Sequence, residues 1–203
     1  VNFLAHFALA HPEEPLMVGG FLGDFVKGML VGKWPHDIEN GIRLHRSIDA
    51  FTQTEPTMRD SAQYFHPAIR RFVPILIDLI GDHFLARRFE DHLGERLDAF
   101  TARVYDMLQR HHDCMPPAAE QYRRRMTERD TLRRYRHHHG LTRAFEYVAR
   151  RFRRDDLSEH AMAGLVHHYS ELEADFEVYY PNLVEHARTW QRENAGATIG
   201  DPP

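Results

Sequence analysis

Cysteine is almost missing from this chain, and so are lysine and any long apolar run. Cys114 stands alone among 203 residues, so it forms no internal disulfide, which fits a reducing cytoplasm. With no candidate base beside it, it reads as a residue at a helix end rather than a nucleophile. No stretch of about 18 apolar residues occurs, which argues against a membrane span. The first ten residues lack a basic n-region and contain His6, unlike a signal peptide. There is no P-loop, dinucleotide fingerprint, pair of zinc-type cysteines or nucleophile elbow. The run Gly19-Gly20-Phe21-Leu22-Gly23 does not have phosphate-loop spacing either.

Strand-like alternation is nearly absent as well, and helical periodicity takes its place. The length suits one domain with a full core, and the reading is an all-α fold: a single helical domain over residues 1–193 and a disordered tail over 194–203. A short helix is expected over Asn2–Ala10, and a second, glycine-rich one over Leu16–Met29. A third runs from about Asn40 to Thr52. Pro56, Pro67 and Pro74 each mark the start of a further helix, since proline is tolerated in a first turn. The one after Pro74 places Ile75, Leu76, Leu79, Ile80 and Phe84 inward. Helices follow over Gly94–His112, near 118–135 and over 142–153. A last long helix begins near Ser158, and Pro181 is expected to kink or interrupt it.

The net charge is −4, unevenly placed: residues 121–154 hold twelve arginines against Glu128, Asp130 and Glu146. By charge alone this is a set of solvated helix faces, or else a surface for an acidic partner.

Sixteen histidines are too many for all to be functional. His45 and Asp49 are four apart at the rim of a buried helix face, where an imidazole and a carboxylate can share a divalent cation. Alone, the pair reads as an exposed ion pair beside Arg46. His83 falls at the centre of an apolar face, with Asp78 and Asp82 along its flank. A buried imidazole needs a partner, and carboxylates beside a core need a cation or strong hydrogen bonds. Asp24 ends the apolar glycine-rich segment, and His6 is flanked by Leu4, Ala5 and Phe7. His168 lies near the stripe of the last helix, whereas His167 points away and His137-His138-His139 reads as surface. Oxygen and imidazole ligands without cysteine favour Mn²⁺, Mg²⁺ or Fe²⁺.

Several blocks together carry a resemblance: Asn2-Phe3-Leu4-Ala5-His6, Gly23-Asp24-Phe25-Val26-Lys27-Gly28, His45-Arg46-Ser47-Ile48-Asp49 and Asp78 with Asp82-His83-Phe84-Leu85. Arg134-Tyr135-Arg136, His168-Tyr169, Phe176 and Tyr180-Pro181 continue it. In order and spacing from residue 2 to about 190, the chain resembles the acyl carrier protein phosphodiesterase family, a variant of the HD-type metal-dependent phosphohydrolases. The dipeptides His36-Asp37 and His112-Asp113 fall outside these blocks. The resemblance implies a helical fold, a divalent metal, and hydrolysis of holo-acyl carrier protein to apo-protein and 4′-phosphopantetheine. It implies a metal cradle drawn from His6, Asp24, His45, Asp49, Asp78, Asp82 and His83, with His168 or Arg46 on the phosphate. A bound cation lowers the pKa of water from 15.7 towards about 7 and offsets phosphoryl charge. Carrier proteins of this class are small and acidic, so Arg123, Arg124, Arg133, Arg134, Arg136, Arg150 and Arg151 become candidates for docking, with no nucleic-acid or membrane partner. Two other readings stand beside this: a phosphohydrolase of small phosphoesters, and a non-catalytic helical module that docks an acidic protein.

Overall fold

The computed structural model describes residues 2–194, and the tail expected over 194–203 lies outside them but for Asn194. Twelve α-helices are described: α1 Phe3–Ala10, α2 Glu14–Leu22, α3 His36–Thr54, α4 Pro56–Asp60, α5 Val73–Arg87, α6 Phe89–Leu93, α7 Leu97–Arg110, α8 Pro117–Glu128, α9 Thr131–Arg134, α10 His138–Phe152, α11 Leu157–His167 and α12 Tyr169–Asn194. Three 3₁₀ turns, Ser61–Tyr64, Pro67–Phe72 and His112–Cys114, join them, and no strand occurs among the described residues. None of these helices is long and apolar enough to cross a membrane.

The apolar side chains close into one core running from Phe3 to Ala187. Its axis is α5, where nearly every residue from Leu76 to Ala86 is buried. Helices α1, α10 and α12 pack around α5, and α3 packs against α2 and α12. Two glycines set the closest crossing. A Cβ on Gly19 would lie 2.6 Å from the Cα of Gly41, and one on Gly41 would lie 2.4 Å from the Leu16 carbonyl oxygen. Only hydrogen at both positions lets α2 and α3 approach this far.

Prolines 56, 67 and 74 do stand in first turns. The expected Leu16–Met29 helix, by contrast, stops at Leu22, and Gly28 and Gly32 beyond it take positive φ (80° and 77°). That loop is tied down at both ends. Buried Glu39 accepts from the amides of Gly32 and Lys33, and Arg46 donates to the Val26 carbonyl at 3.0 Å. The expected final helix breaks at His168 rather than at Pro181, which sits inside α12. Ile75, expected inward, is exposed at the start of α5. Cys114 does sit at a turn end, its thiol donating to the His111 carbonyl while burial pushes its pKa up.

Candidate metal centre

Helices α1 and α3 meet through polar side chains in an otherwise apolar contact. His6 and His45 are both buried, and their rings stack with centroids 3.9 Å apart and planes 20° from parallel. Asp49, one turn beyond His45, spans the pair: Oδ1 lies 3.2 Å from His6 Nε2 and Oδ2 lies 3.2 Å from His45 Nε2. One ligand atom from each residue lies within 4.8 Å of the others. Both ring nitrogens of His6 and Nδ1 of His45 are buried without a hydrogen bond of proper alignment. Buried polar atoms are nearly always satisfied, so the two Nδ1 atoms without a hydrogen bond, and His6 Nε2 facing Asp49 at poor alignment, leave room for a further partner. Gly23 at the end of α2 forms the floor, because a Cβ there would fall 2.2 Å from His45 Cγ.

The electrostatics suit a cation. Burial, then the neighbouring His45, push the His6 pKa down to about 3, so its imidazole is neutral and offers a lone pair. Burial works to raise Asp49, but the contacts from His45 and His6 outweigh it and hold the carboxyl well below the usual range. Asp78, half-buried on α5, is raised by burial and also by the charges of Asp49 and Asp24, which places the three carboxylates within reach of one another's fields. Asp24 itself is exposed. Arg46 follows His45 in α3, its guanidinium turned to the loop after Gly23.

The structure places Asp82 and His83 elsewhere. Asp82 is fully buried, and its oxygens accept from the amides of Leu4 and Ala5 and from the Asn2 side chain, each at 2.9 Å. It therefore caps α1 from the middle of α5, a role played at most helix starts by a local side chain. His83 Nδ1 donates to the Tyr135 carbonyl at 2.7 Å, and its Nε2 accepts from the Tyr169 hydroxyl, which also receives Arg87. His168 lies at the α11–α12 break, against Tyr64 and His167 with Glu171 as its ion-pair partner, outside the group. The sequence singles out Asn2 and Tyr169 only within the resemblance and Arg87 not at all, because the contacts that give them a role reach across 80 or more residues.

Much of the arginine block is spent inside the molecule. Arg123 is buried, so it presents no docking charge, and with Arg124 it grips Glu120. Arg133 pairs with Asp130, Arg136 with Asp98 and Arg150 with Glu146. Arg134 and Arg151 have no ion-pair partner among the described residues; Arg134 is half-buried and Arg151 exposed.

Acid should unfold the chelated protein early. Burial depresses both His6 (about 3) and His83 (about 4), so below pH 6.5 the unfolded chain binds two protons that the folded one refuses. Asp82, raised by burial to about 7, works in the opposite sense over about pH 7 to 4. His92 is lowered with the other two histidines and Asp78 raised with Asp82, so three histidines work against two carboxylates and stability is expected to fall as pH drops from roughly 6.5 towards 4. Urea titrations across that range measure it, and a flat or rising stability would contradict the neutral, buried histidines.

The family model described as acyl carrier protein phosphodiesterase matches residues 1–183. A curated protein of that name from Enterobacter sp. strain 638 is 31% identical over 192 residues, covering 94% of this chain and all of the relative. Another from Escherichia coli O45:K1 is 32% identical over 188 residues, covering 92% and 97%. One from Klebsiella pneumoniae strain 342 is 30% identical over 94% of this chain. No solved structure matches. With a family model over most of its length and such relatives end to end, the chain belongs to the acyl carrier protein phosphodiesterase family.

Proposed function

We propose that the protein hydrolyses the phosphodiester joining 4′-phosphopantetheine to a serine of acyl carrier protein, and that it does so with a divalent cation, Mn²⁺ or Mg²⁺, held by His6, His45 and Asp49. The observation that carries the metal reading is the cluster of two buried imidazoles and one carboxylate, each offering a ligand atom within 4.8 Å of the others. Neutral imidazole and carboxylate oxygen without thiolate is a donor set for such ions. When bound, the cation supplies acidified water at neutral pH and offsets charge gathering on the phosphoryl oxygens. His6 is kept neutral by its burial, and Asp49 is kept ionised by the two histidines. Asp78 lies within the fields of Asp49 and Asp24, so these carboxylates would add negative charge near the cation, and Arg46, next to His45 in the chain with its guanidinium fixed on the Val26 carbonyl, is the residue we assign to the phosphate. The single unpaired Cys114 accords with a reducing compartment, and we place the reaction in the cytoplasm.

The test is the intact mass of holo-acyl carrier protein after incubation with the enzyme and either Mn²⁺ or chelator. Loss of the phosphopantetheine mass with Mn²⁺ alone is the expected result. Loss in chelator would remove the metal from the proposal, and an untouched carrier would remove the substrate.

A further inference from the structure

The scissile bond of a carrier-linked phosphodiester lies one serine side chain from the carrier's backbone. Whatever surface receives the carrier must therefore border the site. Helices α5 and α10 form such a surface. They run antiparallel: the Phe72 and Phe152 rings meet at 5.1 Å at one end, and His83 and His138 at 5.3 Å at the other. Along this pair Ile75, Tyr147 and Phe152 are exposed apolar side chains. Ile75 precedes Asp78 by three residues, so the two share a helix face about 5 Å apart along the axis. Asp78 in turn lies one turn before Asp82, which holds the start of α1, the helix that carries His6. The apolar strip thus leads from Phe152 towards the carboxylates of the site.

A basic rim surrounds it. Arg71 lies over the Phe72 ring at 4.6 Å and Arg151 over Phe152 at 5.7 Å, and both are exposed. Neither they nor Arg70, Arg143 and Arg153 have a carboxylate partner among the described residues, unlike the internally paired arginines of α8 and α9. Arg153 ends α10 in the left-handed region (φ 52°), where glycine is the residue of least cost. An exposed guanidinium is kept there at the expense of stability, which points to use. We infer that the α5–α10 face, with Arg71, Arg151 and Arg153 around Ile75, Tyr147 and Phe152, is the docking surface for the acidic carrier protein. This inference rests on the substrate proposed above, and charge complementarity selects the occupant.

The test is the double variant Arg71→Glu/Arg151→Glu against Arg124→Glu/Arg133→Glu, which alters paired arginines elsewhere. Three readouts are taken: KM for holo-carrier, hydrolysis of bis(p-nitrophenyl) phosphate, and binding of labelled apo-carrier, which needs no turnover. The first variant is expected to raise KM and weaken apo-carrier binding by about tenfold or more, with small-diester hydrolysis unchanged. The second should alter carrier binding little. Arg153→Gly should raise the melting temperature while weakening carrier binding, a combination that loss of folding does not give. Unchanged apo-carrier binding in the first variant would overturn the assignment. So would an equal loss on both substrates, or a change in self-association with carrier binding intact. Because apo-carrier binding is read without catalysis, an enzyme inactive on holo-carrier would refute the proposed reaction and leave this surface separately judged.

Discussion

Gly23→Ala should lower turnover by about a hundredfold or more, although the variant removes no functional atom. The new methyl would sit 2.2 Å from His45 Cγ, and also 2.3 Å from Cδ2 and 2.7 Å from Nδ1. Carbon atoms in contact keep about 3.5–4.0 Å, so the imidazole must move by more than 1 Å. His45 has little room to do so, because it is buried and stacked on His6. A misplacement of about 1 Å costs on the order of 10²-fold in rate, and overpacking adds a stability loss of about 1–3 kcal/mol. Gly20→Ala, on the same helix, is the matched control. Its Cβ would meet only His6 atoms, at 3.8 and 4.0 Å, which is ordinary contact. Alanine is favoured over glycine inside a helix by about 1 kcal/mol, so that variant should stay active and become slightly more stable. Steady-state kinetics and thermal melts on the two variants decide the matter. A fully active Gly23→Ala enzyme would show that the position of His45 is not essential.

The second large effect is on stability. Asp82→Ala should cost about 3–5 kcal/mol, because it strands the amides of Leu4 and Ala5 inside the core and frees the Asn2 side chain. For a chain of this size that is a fall of roughly 10–15 °C in melting temperature. Below that temperature Mn²⁺ affinity should be close to wild type, since the carboxylate is occupied by backbone donors. Titration of Mn²⁺ by calorimetry separates the roles. Lost affinity with an unchanged melting temperature would make Asp82 a ligand and not a cap.

How far the sequence could be read turns on the range of each interaction. The His45–Asp49 spacing is local, so helical periodicity alone put both side chains on one face, and apolar neighbours marked His6 as buried. Asp82 had the same outward signs as a ligand: a carboxylate in an apolar helix beside a histidine. What distinguishes it is that the start of α1 lands on it from 77 residues away, and nothing in residues 78–86 announces that. The arginine block erred in the other direction. Counting charge from residue 121 leaves out Glu120, whose partners at i+3 and i+4 were open to inspection. Gly19-x-x-x-Gly23 facing Gly41-x-x-x-His45 is a pairing of two local spacings, visible only once α2 and α3 are known to cross. The end of α2 at Leu22 and the break at His168 are set by loop ties and packing that periodicity does not carry.

The last described helix also sets an order of events. Gln191 on α12 donates to the Leu9 carbonyl across 182 residues, and His186 meets Ser47 across 139. During synthesis, α1, α2 and α3 emerge long before the helix that braces them, and contacts of such separation are slow to close. A nascent chain therefore holds both histidines of the pair, already made, on helices with an uncovered apolar face. The cover for that face is the last part of the fold to be made, and until α12 arrives the exposed apolar surface is of the kind that favours aggregation.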